Sequence, residues 1–391
     1  MTRPAKLRAG TTPDRPDPRR YARHLLLPEL GMPGQERLGQ SRVIVVGAGG
    51  LAAPVLSYLA AAGVGRVTVV DDDAVDLSNL QRQVIHRTED VGVSKVESAI
   101  RAVHDLNPDV EIVGVPERLT ADNALTLFAD HDVVVDATDN FATRYLVGDA
   151  CVLLGLPLVW GSIHRFDGQV TVWSYDEGPC YRCVFPEAPP AGAVPSCAEA
   201  GVLGALPGVI GAMQATEAVK VLLGIGEPLA GRLMLYNALH ATWSSVPVQR
   251  DPECAVCGAH PTITTLTDTV ASCAPPVPDA ADDVREVDAL ALADQVAGDH
   301  PPVVVDVRSE AERDIVRLPI GIHVPIETLR DGTGLGRLDA IDADTVFYCK
   351  GGTRSAEAVR LVRDATGVEA RSLAGGILAW IDEVDPTLAR Y

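Results

Sequence analysis

The chain has 391 residues, of which 47% are hydrophobic and 22% charged, with a formal net charge of -20 and a pI near 4.8. That length exceeds one ordinary core, so more than one domain is expected in a soluble α/β protein. The acidic balance argues against a nucleic-acid binder, and no apolar run approaches the roughly 20 residues of a membrane span.

Residues 1–19 are rich in Arg and Pro without an apolar segment, and read as a flexible leader and not a signal peptide. A cytoplasmic location is the default expectation. From Arg42 the chain alternates β-branched strands with amphipathic helices, the pattern of a doubly wound, Rossmann-like parallel sheet. Arg42–Gly47 and Arg66–Asp71 read as strands around a helix at Leu51–Ala62. A helix at Lys95–Leu106 stops at Asn107-Pro108. Strands at Val110–Val115 and Val133–Ala137 flank a helix at Ala121–Ala129. Beyond Leu158 the pattern becomes short strands and loops, with a Pro/Ala/Gly-rich stretch at Pro186–Val194 and a further helix at Val209–Leu223. Residues 20–261 thus form one domain. Residues 262–283 read as a stiff polar linker, and residues 284–391 as a second, smaller α/β domain.

Val43–Ala52 is a strand, a Gly-rich turn and a helix start, where Gly47, Gly49 and Gly50 let backbone N–H groups approach phosphate. Asp71 ends the next strand, where a carboxylate can accept ribose hydroxyls. On these residues alone a dinucleotide-dependent dehydrogenase fits equally well. The following run, Asp71 to Gln83, favours a triphosphate. It supplies three consecutive acids and then Asn79, Gln81, Arg82 and Gln83, a dense polar set that suits phosphate oxygens, with Ser78 and Leu80 as candidate neighbours in the same site. Lys95 opens a helix within reach of phosphate and is one of only four lysines in the chain. Asp139 and Asn140 follow a strand end at the ligand-binding edge, and an aspartate there can hold Mg²⁺. The alternatives are a solvated acidic loop and, for Asp139, a helix N-cap.

Eight cysteines in such a chain suggest metal or catalysis more than disulfides. Cys180-x-x-Cys183 and Cys254-x-x-Cys257 have the form of a closed structural Zn²⁺ site, with redox dithiols or core cysteines as the alternatives. Cys197, in Pro195-Ser-Cys-Ala, is a candidate second catalytic thiol or else a structural one. Cys151 and Cys273 read as inert.

The run Arg20-Tyr-Ala-Arg23, the Gly47 turn, Asp76–Gln83, Lys95–Ser98, Ala137–Asn140 and Pro195–Val202 together resemble the MoeB/ThiF adenylyltransferases, bacterial relatives of ubiquitin-activating enzymes. The resemblance spans Arg20 to Cys273. It implies that Gly50, Asp71, Asn79, Arg82, Lys95 and Asp139 bind MgATP, and that a homodimer brings Arg23 into the partner's nucleotide site. It also implies zinc at the paired cysteines, and a covalent link between Cys197 and a carrier protein. The third glycine usual in the turn is Ala52 here, a position that tolerates alanine.

In the second domain a strand ends at Cys349 and runs into Lys350-Gly-Gly-Thr-Arg354 and a helix. N–H groups, with Lys350 and Arg354 nearby, would favour a thiolate or persulfide anion there. With Val303–Arg308 and Leu373–Trp380, this region resembles a rhodanese domain. The loop is one residue shorter than that of the tyrosine phosphatases, and Arg317–Gly321 departs from the usual Pro-Gly-Ala.

The order adenylyltransferase then rhodanese resembles the MoeZ-type family. It implies ATP-dependent adenylation of the C-terminal Gly-Gly carboxylate of a small ubiquitin-like sulfur carrier, then sulfur delivery from a Cys349 persulfide loaded by thiosulfate or a cysteine desulfurase. Arg354 and Cys197 are the expected catalytic helpers. An activating enzyme for protein conjugation and a non-catalytic nucleotide-binding scaffold are the alternatives.

Overall fold

A computed structural model describes residues 16–189, 201–268, 284–338 and 341–391. The chain divides into two compact units, the division falling between residues 273 and 274.

The first unit opens with α1 (Pro18–Leu25), which Asp17 caps by accepting the Arg19 N–H, and α2 (Gly31–Gln40). The helix thus starts inside the segment read as a leader. It is anchored by Tyr21, whose hydroxyl accepts from Asn107 Nδ2 at 2.9 Å. Tyr21 fills the space beside Gly63, where a Cβ would lie 2.4 Å from its oxygen.

Then come β1 (Arg42–Val46), α3 (Ala52–Ala62), β2 (Arg66–Val70), α4 (Lys95–Leu106), β3 (Glu111–Val115), α5 (Ala121–Phe128), β4 (Val133–Asp136) and α6 (Phe141–Leu154). Next are β5 (Leu158–His164), β6 (Asp167–Trp173), α7 (Tyr181–Val184), α8 (Leu206–Leu223), β7 (Arg232–Asn237) and β8 (Thr242–Pro247). The eight strands form one sheet in the order β3-β2-β1-β4-β5-β6-β7-β8. The first five are parallel and the last three join antiparallel.

β1 shows why this sheet is buried on both faces. Val43 and Val45 pack into one apolar layer, and Ile44 and Val46 into the other. A run of apolar β-branched residues suits a strand covered by helices on both sides. The region beyond Leu158 holds longer strands than the sequence suggested, because β5 and β6 pair over seven residues as a hairpin that widens the sheet. α8 begins at Leu206, with Pro207 in its first turn, three residues before the expected start. By length and composition α8 could cross a membrane, yet 56% of that window is buried, and Ile210, Ala218, Val221 and Leu222 sit in the core. The first residues of the expected linker also make contacts with this unit: Leu266 packs on its core, and Asp268 accepts the Ala121 N–H.

The second unit contains β9 (Arg285–Val287), α9 (Ala289–Ala297), β10 (Val304–Asp306), α10 (Glu310–Ile315), β11 (Ile322–His323), α11 (Ile326–Arg330), β12 (Val346–Tyr348), α12 (Thr353–Thr366), β13 (Arg371–Leu373) and α13 (Gly376–Glu383). Its parallel sheet runs β11-β10-β12-β13-β9 between two apolar layers. The strand ending at Cys349 is central, so its carboxyl end is flanked by strands on both sides.

Asn107 also donates to Ala60 O at 2.7 Å, which ties α4 to α3 and α1. Asn107→Ala removes both buried hydrogen bonds, and urea unfolding of the first unit should show a loss of about 2 kcal/mol.

Candidate active sites

The first site is a cavity of about 290 Å³ at the carboxyl edge of β1, β2, β3 and β4. Gly47 leaves β1 with φ +96°, and a Cβ there would lie 3.0 Å from Ala137 O, so only glycine lets the turn pass β4 this closely. Asp71 at the end of β2 accepts from Ala48 N at 2.7 Å and from Asp73 N at 2.9 Å. Burial pushes its pKa up, against the pull of Lys95 and of those two amides. Lys95 is only 7% exposed, and its Nζ lies 2.7 Å from Asp73 Oδ2. Its ammonium is stored beside the cavity by an acid that is itself largely in solvent.

Gly47, Gly49, Gly50, Asp71, Arg82, Lys95, Asp139 and Asn140 all line this cavity. Asn140, not Asp139, caps α6 by accepting from Thr143 N at 2.9 Å. Asp139 is thereby relieved of a capping duty and lies exposed at the cavity wall. Ser78, Asn79, Leu80 and Gln81 are not among the lining residues. Ser78 N and Oγ donate to Asp76 at one end of the short 3₁₀ turn Leu77–Asn79, and Asn79 Oδ1 accepts the Asp76 N–H. Their work is local: the turn they build aims Arg82, whose guanidinium donates to Ser78 O. Gln81 packs against Gly204, where a Cβ would lie 2.2 Å from Gln81 O. Arg23 is exposed on α1 and is not part of the cavity wall.

A second constellation joins the two cysteine pairs. Sγ of Cys180 lies 3.7 Å from that of Cys183 and 3.5 Å from that of Cys254, and Cys183 lies 3.4 Å from Cys257. Tetrahedral Zn–S bonds of about 2.3 Å would set the sulfurs about 3.8 Å apart. All four sulfurs fall within 4.8 Å of one another, so the donor set and its geometry fit a metal ion. The hydrogen bond with Cys183 and burial push the Cys180 thiol far up, and the same bond pulls Cys183 down to about 5. Four thiols this close cannot all ionise without a cation between them. Arg182, between the first pair, binds Asp149 of α6 in bidentate fashion at 2.7 and 2.9 Å.

The third centre is the loop after β12. Cys349 is 1% exposed, and its Sγ accepts from Gly352 N at 3.1 Å. Gly352 has φ +102° and is the N-cap of α12, so the sulfur meets the start of that helix through the Gly352 amide. Gly376 of the Leu373–Trp380 motif packs behind this loop: a Cβ would lie 2.5 Å from Lys350 O and 2.6 Å from Cys349 O. Ile377 N donates to Cys349 O at 2.8 Å. The Arg354 guanidinium makes a bidentate pair with Glu312 at 2.7 and 2.8 Å, and Glu312 is held beside it by the capping box of α10. The Lys350 ammonium sits over the Tyr391 ring at 4.6 Å, and Tyr391 Oη in turn contacts Arg308 and Glu312.

Cys197 and Cys273 lie outside the described residues. Cys151 is fully buried in α6, and burial together with Asp136 and Asp149 pushes its thiol well above the ordinary value, as suits an inert core residue.

A ThiF family model matches residues 21–256, and a rhodanese-like domain model matches residues 288–383. The chain belongs to the ThiF family. A Mycobacterium tuberculosis relative named probable adenylyltransferase/sulfurtransferase MoeZ is 45% identical over 378 residues, covering 95% of each chain. A Thermus thermophilus sulfur carrier protein adenylyltransferase is 57% identical over 259 residues, covering 65% of this chain and 96% of its own. The Bos taurus adenylyltransferase and sulfurtransferase MOCS3 is 42% identical over 400 residues, covering 95% of this chain and 87% of its own. The crystal structure of E. coli MccB with MccA-N7isoASN shares the fold, with a TM-score of 0.56 and 21% identity over 63% of this chain and 76% of that chain.

Several residues of this ThiF-family site carried no signal in the sequence. Glu117 and Arg118 reach the cavity from the loop after β3, and Ile163 from β5. Nothing local marks them, because only the strand order brings β3 beside β2. His86 is buried under the glycine turn, with Nε2 2.9 Å from Ala48 O. Arg144 is buried beneath Thr138, donates to its carbonyl, and stacks on Phe141 and Trp160.

Burial pushes the Glu312 carboxyl up, but the Arg354 pair outweighs it and holds it at about 2, against an ordinary 4.5. A depressed carboxyl contributes stability above pH 4.5 that is lost as pH falls towards 2. Glu312→Gln should therefore destabilise the second unit by about 3 kcal/mol at pH 7, with a penalty that shrinks below pH 4.5 in pH-dependent unfolding.

Proposed function

We propose that this enzyme activates the C-terminal Gly-Gly carboxylate of a small ubiquitin-like sulfur-carrier protein with ATP, and then converts it to a thiocarboxylate with sulfur carried on Cys349. The observation that carries this reading is the presence on one chain of two complementary centres. One is a cavity in which a glycine turn, Lys95, Arg82 and Asp139 converge, and the other is a cysteine whose sulfur accepts from the Gly352 amide at the start of a helix. Relatives similar over nearly the whole chain bear both activities in their names.

A carboxylate is a poor electrophile because its leaving group would be oxide. In the first step a carboxylate oxygen of the carrier attacks the α-phosphorus of ATP, and the bond to the pyrophosphate oxygen breaks. The product is an acyl adenylate whose leaving group is AMP. The chain's contribution is positioning and charge neutralisation. Asp71 orients the ribose, the amides after Gly47 meet phosphate, and Arg82 and Lys95 offset the charge that moves onto pyrophosphate. Mg²⁺, held with the nucleotide by Asp139, would supply further neutralisation of the phosphate oxygens. Ser78, Asn79, Leu80, Gln81 and Asn140 complete the nucleotide set, the 3₁₀ turn acting by placing Arg82.

In the second step the outer sulfur of the Cys349 persulfide attacks the acyl carbon and AMP departs, leaving an acyl disulfide. A thiolate, for which Cys197 is the candidate, then attacks Sγ of Cys349 and the carrier leaves as a thiocarboxylate. The new Cys197–Cys349 disulfide is reset by a dithiol reductant. Thiosulfate or a cysteine desulfurase supplies the sulfur. Zn²⁺ at Cys180, Cys183, Cys254 and Cys257 is structural, joining the segment after β6 to the one after β8. A homodimer suits the exposed Leu26, Leu27 and Tyr58 around a mainly apolar cavity between α1, α3 and α8, and would let Arg23 serve a neighbouring copy. Among the described residues no cysteine is in a disulfide, which suits a reducing compartment such as the cytoplasm.

ATP–pyrophosphate exchange that depends on a Gly-Gly-ended carrier tests the first step, and Lys95→Ala should lower it by about 100-fold. Cys349→Ala should keep that exchange while abolishing thiocarboxylate in intact-mass spectra of the carrier. Thiocarboxylate formed at the wild-type rate by this variant would exclude the sulfur-delivery step. The zinc assignment predicts one metal per chain by elemental analysis, and Cys254→Ser should lose it along with several degrees of Tm.

A further inference from the structure

Behind Cys349 lies a chain of two hydroxyls that the adenylation and sulfur-transfer readings leave without a role. Ser355, on the first turn of α12, and Ser372, on β13, are both fully buried. Ser372 Oγ donates to Ser355 Oγ at 2.9 Å. Ser355 has one proton and two acceptors within reach, Gly352 O at 2.8 Å and Cys349 Sγ at 3.5 Å. Gly352 O already accepts the Ala356 N–H at 3.0 Å, so the Ser355 hydroxyl can turn away without leaving that carbonyl orphaned.

We propose that Ser372 is a positioning residue for the sulfur centre, acting through Ser355. By donating to Ser355 Oγ it occupies a lone pair and leaves the Ser355 proton to choose between sulfur and carbonyl. When Cys349 is a thiolate, the proton goes to Sγ and adds a second hydrogen bond to that from Gly352 N. During loading the Sγ electron pair forms the new S–S bond to the sulfane sulfur of the donor, and the donor's leaving group departs with its own pair. Sγ is then a neutral divalent sulfur, and the hydroxyl returns to Gly352 O. The relay thus holds the empty centre ready for sulfur and relaxes once it is filled. The role in loading rests on the sulfur-transfer reading above, whereas the effect on the thiolate does not.

The charged and titratable groups around this centre come from several elements. They are Lys350 of the loop, Arg354 of α12, Glu312 of α10, Asp306 of β10 with Arg308, Tyr348 of β12 and Tyr391, linked through the Glu312, Asp306 and Tyr391 contacts. Ser372→Ala alters none of them, so its effect isolates the hydroxyl. The test is the pH dependence of iodoacetamide alkylation at Cys349 in the full-length enzyme, followed by peptide mass spectrometry. In Ser372→Ala the rising limb should move about one unit to higher pH, so the rate well below the midpoint falls about tenfold while the alkaline plateau is unchanged. Ser355→Ala should shift it at least as far, and the double variant no further than Ser355→Ala alone. An unmoved profile, or a Ser372→Ala shift that persists in the Ser355→Ala background, would overturn the relay. Persulfide formation, assayed with thiosulfate and separately with a cysteine desulfurase plus cysteine and read by mass on the same proteins, separates the two ideas. The expected alkylation shifts without any persulfide would leave the relay standing and remove the sulfur-transfer reading.

Discussion

Both centres depend on one constraint: backbone N–H groups at the start of a helix can meet an anion only where no Cβ intervenes. In each unit a buried parallel strand ends, a glycine turn follows, and a helix begins within a few residues. At Gly47 the turn squeezes past Ala137, and at Gly352 it adopts φ +102° with the sulfur 3.1 Å from its amide. The two units use the same arrangement. A phosphate and a thiolate both need donors that are fixed in place and cost little to reorganise.

The second theme is how the cations are held. Lys95 is tethered by Asp73, Arg354 by Glu312, and Lys350 by the ring of Tyr391. Each partner lies beside the site and none belongs to the reacting group. For Lys95 and Lys350, an arriving anion competes only with a contact already shared with solvent or with an aromatic face. Where the partner is deeply placed, as Glu312 is, the pair also contributes to the stability of the unit. Arg354 is thus committed to the architecture of the loop as well as to its charge.

The cysteine cluster has a different task. Its two pairs sit on segments that carry little regular structure of their own, Cys180–Val184 and the turn at Cys254–Gly258, where small cores are hard to build. The sulfurs nonetheless approach within 3.4–3.7 Å, while Arg182 and Asp149 pin the same place to α6. The cluster joins the segment after β6 to the one after β8, and the Arg182–Asp149 pair ties that place to α6 in the parallel half.

The sequence by itself determined the α/β class, the helix at Lys95–Leu106, the paired cysteines and the strand–glycine–helix turns, because each depends on contacts within about ten residues of chain. It also singled out Asp71, Arg82, Lys95 and Asp139, since two follow strand ends, one lies in a dense polar run and one is among only four lysines. The tertiary structure alone decided the rest. Strand order brought Glu117, Arg118 and Ile163 to the nucleotide cavity, and β5–β6 pairing turned expected loops into sheet. The capping box at Ser309–Glu312 took the Arg354 guanidinium, and parallel pairing of β12 with β13 set Ser372 behind Cys349. Those outcomes join residues far apart in the chain, and no local pattern records which strand will lie beside which.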